Sequence, residues 1–324
     1  IASGLSSSAA FTIAAALAIL AGHGRTIEPL LFAETMAQSD HYVGMASGGM
    51  DQAASILGQA GAALAIEFHP LRVQPVQLPA STSIVVCHSR VKAAKAGNAR
   101  DEYNRRVVEC RLATAVLHAK RAPRATAEPA LLSEWLARDT QGFEDALQQI
   151  AENLQPGGYT VAEIARALKC SAETVRQTLC VTKAGNRYDE PPGGFKLQQR
   201  ARHVISETQR VAQTRAVLAE MPADAALVFG QLMNASHESC RNDYEISCTE
   251  LDELVLLARE AGALGARLTG AGFGGCTVNL LRAGTTPAFM HLLNERYYVP
   301  RELTHSGETM FAFAPAAGAG VLIA

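Results

Sequence analysis

The sequence predicts an α/β (α+β) protein built in two parts, and three observations predict it. Long helical patterns at residues 5–22, 101–118 and 249–261 share the chain with short β-rich apolar runs at 62–67, 83–88 and 277–282. The chain has 324 residues, enough for two domains with their own cores. Hydrophobic residues make up 48% and charged residues 19%, the balance of an ordinary globular protein.

Each element has a local reason. Residues 5–22 are alanine-rich and helical. Their apolar run at 9–21 is about 13 residues long and is broken by Thr12; a membrane span needs roughly 20. The run also lacks the basic lead of a signal peptide, so it predicts a buried helix. A second helix is expected at 28–39, a glycine-rich loop at 43–49 and a third helix at 51–57. Strands are expected at 62–67 and 83–88, then a helix at 101–118 and a polar, proline-bearing connection at 121–129. Several helices follow to about residue 218, interrupted by a Gly/Pro loop at 185–194. The clean amphipathic pattern at 249–261 is a helix, 277–282 a strand, and 287–296 a helix with proline in its first turn.

Composition excludes some functions. The formal net charge is −2, so no basic excess suggests nucleic acid or an acidic membrane surface as partner. The seven cysteines, Cys87, Cys110, Cys170, Cys180, Cys240, Cys248 and Cys276, form no CxxC pair and no tight cluster with histidine. Free thiols in a reducing cytoplasm are the expectation. The chain opens on Ile1, already inside a dense motif, and this predicts that further sequence precedes it.

Four segments could carry chemistry. Gly4-Leu5-Ser6-Ser7-Ser8-Ala9-Ala10 opens the first helix. A helix start leaves backbone N–H groups unpaired and carries the positive end of the macrodipole. With a glycine ahead of it and three hydroxyls on it, such a start suits a phosphate; ordinary capping would need only one serine. Gly48-Gly49-Met50-Asp51-Gln52 sets a carboxylate behind a flexible glycine loop. Asp51 could be a general base toward a hydroxyl, or simply a helix N-cap. Gly270, Gly272 and Gly275 fit G-x-G-x-x-G, but that dinucleotide fingerprint requires a helix next. A strand is expected there instead, which leaves a glycine turn packed on phosphates or on another loop. Residues 159–179 look like a helix-turn-helix, with Ile164 and Leu168 on one face and Ser171 as a cap. The second helix offers only Arg176 as a basic residue, too little for DNA recognition.

Taken together, these residues resemble the GHMP kinases. Residues 4–10 are similar to the second motif of that superfamily and 267–276 to its third; 48–52 resemble the galactokinase loop that carries the catalytic aspartate. Residues 65–71, 107–113, 195–211, 229–234 and 315–322 look like the same group, and 156–176 are similar to a segment of N-acetylgalactosamine kinases. The resemblance implies a two-domain GHMP-kinase fold, with 1–80 the remnant of an incomplete N-terminal domain and 81–324 the C-terminal domain. It implies transfer of the γ-phosphate of ATP, with Mg²⁺, to the C1 hydroxyl of galactose or N-acetylgalactosamine. Asp51 matches the catalytic aspartate, which also contacts the sugar; Gly48 and Tyr103 match sugar contacts. Gly4, Leu5, Ser6, Ser7 and Ser8 match the phosphate-cradling loop, and Lys95 a lysine near the nucleotide, although Ala94 replaces the usual asparagine before it. Ser7 and Asp40 match metal-binding positions. The family's first motif, which supplies further sugar contacts and an arginine, has no counterpart here. The resemblance implies a cytoplasmic monomer with small-molecule partners. Its alternative is a sugar and ATP sensor that binds a transcriptional regulator; the intact Ser8-Ala9-Ala10 favours catalysis.

Overall fold

The computed structural model describes residues 5–39, 48–68, 70–91, 99–121, 131–182, 185–303 and 309–320. Three helices open it: α1 (Ser7–Gly22), α2 (Pro29–Ser39) and α3 (Met50–Leu57). Ala9 and Ile13 of α1 pack with Phe32 and Met36 of α2, and Ile56 of α3 leans on the same cluster. The helix start at Pro29 is set by Glu28, whose carboxylate accepts from the N–H groups of Leu30 (3.0 Å) and Leu31 (2.7 Å); these bonds lower its pKa. One expectation is corrected here. The first helix is buried along one face only, and Phe11 is 76% and Ile19 64% exposed. A helix apolar on every side buries only the stripe that meets a neighbour, and α2 and α3 cover a single side.

Next come strands β1 (Ala62–Glu67) and β2 (Arg72–Gln77), paired antiparallel as a two-stranded sheet. Strand β3 (Thr82–His88) leads into a helical region: α4 (Ala99–Arg121), α5 (Leu132–Asp139), α6 (Phe143–Asn153), α7 (Val161–Leu168), α8 (Ala172–Thr178) and α9 (Leu197–Glu220). Their shared core holds Leu112, Trp135, Ile150, Ile164 and Phe195. Helices α7 and α8 begin with side-chain caps from Thr160 and Ser171. Ile164 and Val175 are fully buried in this core. The pair that looked like a helix-turn-helix is therefore a packing unit of the bundle.

The remaining elements are α10 (Ala225–Ser239), which runs on as a π-helical turn at Cys240–Tyr244, then α11 (Thr249–Glu260), β4 (Gly265–Leu268), β5 (Cys276–Arg282), α12 (Thr286–Leu293) and β6 (Met310–Phe313). Strands β4, β5, β3 and β6 form one antiparallel sheet in that order. Helices α11 and α12 pack on it around Leu254, Ala258, Phe289 and Leu293. The chain is thus mixed α and β as expected, with strands β2, β4 and β6 added to those the sequence predicts. No helix among the described residues is long and apolar enough to cross a membrane.

Candidate active site

The head of α1 has an unusual backbone. Its N-cap, Ser6, adopts a left-handed conformation at φ 55°, and no side chain caps the helix. A non-glycine residue in that region is disfavoured by roughly 1–2 kcal/mol. The Ser6 carbonyl accepts from Ala10 N–H at 3.0 Å, so the helix is under way from the first residue. Ser7 and Ser8 lie exposed on that first turn, with their hydroxyls at the positive end of a 16-residue helix. This is the chemistry of an anion site.

The glycine loop lies between two strands. Residues 269–275 join β4 to β5, so the segment is the turn of a β-hairpin and no helix follows it. A dinucleotide fingerprint is thereby excluded. Gly272 has φ 82°, and a Cβ there would lie 2.2 Å from the carbonyl oxygen of Ile246; only glycine fits. The loop is gripped from two sides. Phe273 N–H donates to Ile246 O at 2.7 Å, and Gly275 N–H donates to Val91 O at 3.0 Å. The Gly275 carbonyl accepts both the N–H of Ser89 (2.8 Å) and its hydroxyl (2.7 Å). Ser89 is in turn held by the phenol of Tyr297, which donates to its carbonyl at 2.9 Å.

The residue before the serine turn and the first residue of the glycine loop line one apolar pocket. A pocket of about 230 Å³ is lined by Leu5, Val86, Thr269, Val278, Phe311 and Phe313. Leu5 directly precedes the N-cap of α1, and Thr269 is the first residue after β4. The sheet β4-β5-β3-β6 supplies the apolar wall between them.

Asp51 stands in the first turn of α3, after a left-handed Gly49 at φ 84°. A Cβ on Gly49 would come 2.5 Å from that of Ala37 on α2, so glycine lets the chain at this one residue sit against that helix. Gly49 is itself the N-cap, so Asp51 is not the cap that local sequence suggested. Asp51 is half-buried, and Gly48 nearby is exposed. Helix α3 packs on α1. Asp51 and Tyr103 do not line the pocket. Tyr103 is half-buried on α4, next to Tyr244, whose phenol is pushed far up first by burial and then by Cys110 and Tyr103. Gly4, Asp40 and Lys95 lie outside the described residues. Among the described residues no group of three or more His, Cys, Asp or Glu could hold a metal ion.

Sequence reasoning missed two supports of this site. Ser89 grips the glycine loop, and Arg106 on α4 reaches Phe273 in it, its guanidinium carbon 5.9 Å from the ring centroid. A lone serine after a strand and an arginine on a helix carry no local signal.

The family model for the GHMP kinases N terminal domain matches residues 1–59, and that for the GHMP kinases C terminal matches residues 223–284. A galactokinase from Dictyostelium discoideum is 34% identical over 343 residues, covering 98% of this chain and 68% of the relative. A galactokinase from Saccharomyces cerevisiae is 35% identical over 327 residues, covering 87% and 60%. One from a Roseiflexus species is 33% identical over 298 residues, covering 91% and 61%. The chain therefore spans between 60% and 68% of the length of these curated relatives. Its fold is similar to that of Lactococcus lactis galactokinase, solved complexed with galactose, with a TM-score of 0.71 at 24% identity over 98% of this chain and 67% of that one.

Proposed function

The chain belongs to the GHMP kinases and, within them, to the galactokinase family, and on that premise we propose that its protein phosphorylates the C1 hydroxyl of galactose at the expense of ATP. The relatives described above carry the name galactokinase, which favours galactose over N-acetylgalactosamine. The observation that carries the reading is the pocket shared by Leu5, at the head of the serine helix, and Thr269, at the root of the glycine loop.

The residues present fit a nucleotide's phosphates. The exposed Ser7 and Ser8 hydroxyls and the uncapped first turn of α1 offer donors to phosphate oxygens. Gly4 and Lys95 would complete that contact. In this reading Ser7 and Asp40 would hold the Mg²⁺ that accompanies ATP, which would supply charge neutralisation at the transferred phosphoryl group. Asp51 takes the proton of the sugar's C1 hydroxyl as that oxygen bonds to the γ-phosphorus and ADP departs with the bridging oxygen's electrons. Gly48 and Tyr103 hold the sugar. Such a reaction asks mainly for positioning and charge stabilisation. The same reading divides the chain at residue 80, places the protein in the cytoplasm and has it act as a monomer.

ATP consumption by the full-length protein, measured with galactose and N-acetylgalactosamine side by side, tests this. Turnover with galactose above that with the acetylated sugar is expected. Turnover only with the acetylated sugar reassigns the substrate. Binding of both ligands without turnover replaces the kinase by a sensor.

A further inference from the structure

We propose that Arg106 is a positioning residue that ties the sugar-side helix α4 to the glycine loop, an inference that rests on the kinase reading above. Arg106 lies one helical turn beyond Tyr103 on α4, where residues three apart share a face. Its residue is only 6% exposed, and burying a guanidinium is costly unless its donors are satisfied. Here two of them are spent on one strip of backbone and a third on a carboxylate. Nε donates to Tyr244 O at 2.7 Å and Nη2 to Glu245 O at 3.1 Å. Nη1 donates to Glu102 at 3.1 Å, back on α4.

That strip is what grips the loop. The next carbonyl, Ile246 O, accepts from Phe273 N–H at 2.7 Å and faces the bare Cα of Gly272. The same guanidinium lies over the Phe273 ring at 5.9 Å, within range of a cation–π contact. Arg106 therefore touches the loop directly and also through residues 244–246. A second arginine anchors the strip from behind. Arg200 bonds Glu109 at 2.6 Å and Glu245 at 2.8 Å and reaches the Asp243 carbonyl. Helix α4 supplies both Arg106 and Glu109, so its position and the loop's are set together. Only a planar fork can serve two successive carbonyls and an aromatic face at once.

A residue that merely stabilises the fold would lower the unfolding temperature and leave ligand constants alone. A positioning residue changes constants for both substrates, because displacing either wall of the site misaligns the reactants. The test uses the full-length protein as wild type, Arg106→Gln, Arg106→Lys, Phe273→Leu and, as control, Arg296→Gln, which removes an exposed pair with Glu260. We expect kcat/KM for ATP and for sugar each to fall by roughly tenfold or more in Arg106→Gln. Arg106→Lys should fail to rescue them, since an ammonium cannot span both carbonyls. Phe273→Leu should affect mainly the ATP constant, and the Gln and Leu effects should be less than additive. Unchanged constants in Arg106→Gln, or full rescue by lysine, overturn the proposal. If Arg106→Gln does not fold, Phe273→Leu decides: an unaltered ATP constant overturns it. A wild type that neither turns over nor binds ATP removes the kinase reading first and this inference with it, whereas an active wild type with indifferent variants removes this inference alone.

Discussion

The serine turn and the glycine loop of this chain look alike in sequence and are held by different forces. Both are runs of small residues, three serines at 6–8 and four glycines within 270–275. The glycine loop is fixed from outside. Val91, Ser89 and Ile246 bond its backbone, and Arg106 lies over its phenylalanine. The serine turn is fixed from within: a 16-residue helix imposes its shape, Ser6 takes the left-handed strain, and Ala9 and Ile13, flanked by Ala16, Leu17 and Leu20, anchor α1 in its cluster. Rigidity imported from distant residues is vulnerable at each donor and acceptor that supplies it. Rigidity supplied by a helix is local and tolerant.

The largest blow to the contrast is expected at Gly272. Its alanine variant puts a Cβ against the Ile246 carbonyl at a backbone angle of 82°. A loss of about 3 kcal/mol is expected, read from denaturant unfolding. A loss under half of that would show that the loop yields and is not clamped.

Acid should loosen the clamp by a similar amount. His203 is buried, stacked on Tyr244 with ring centroids 4.2 Å apart. Burial lowers its pKa from 6.5 to about 4. A histidine whose folded pKa is depressed gives stability that is complete above its unfolded value. That stability drains as the unfolded chain takes up the proton preferentially, here between pH 6.5 and about 4. The full window amounts to about 3 kcal/mol. His203→Phe, which keeps a ring against Tyr244, should flatten the stability profile over that range; an undiminished slope would assign the acid sensitivity elsewhere.

A smaller effect is expected at Ser89, whose hydroxyl donates to Gly275 O at 2.7 Å and accepts from Val91 N–H at 3.2 Å. Ser89→Ala leaves a buried carbonyl and amide underserved and should cost about 1–2 kcal/mol, measured by thermal unfolding. The smallest effect, and of opposite sign, is expected at the helix head. Ser6→Gly removes the left-handed penalty at φ 55° and should stabilise by at most about 1 kcal/mol. Destabilisation there would mean that the Ser6 side chain is anchored after all.

The same contrast explains what could be read from the sequence. Helical period and strand runs located α3, β1, β3, α11 and β5 to within a residue or so, because those signals are local. Strand β2 stayed hidden behind Pro75 and three exposed polar positions, although an edge strand tolerates proline. Strands β4 and β6 are four residues each, and β6 is defined by a partner far along the chain. The glycine pattern at 270–275 is no dinucleotide site because Cys276–Arg282 is strand β5. The exposed first turn that bears Ser7 and Ser8 was legible from the helix it opens. The clamp on the glycine loop was not, since Arg106 finds its carbonyls 138 and 139 residues away. No local pattern records such a pairing.

Asp51 is the point on which the chemistry turns, and Asp51→Ala in the full-length protein tests it most directly. ATP affinity by calorimetry and ADP release under saturating galactose should be measured together. Nearly unchanged affinity with turnover reduced by roughly a hundredfold or more is the expected result. Turnover close to wild type would contradict the account.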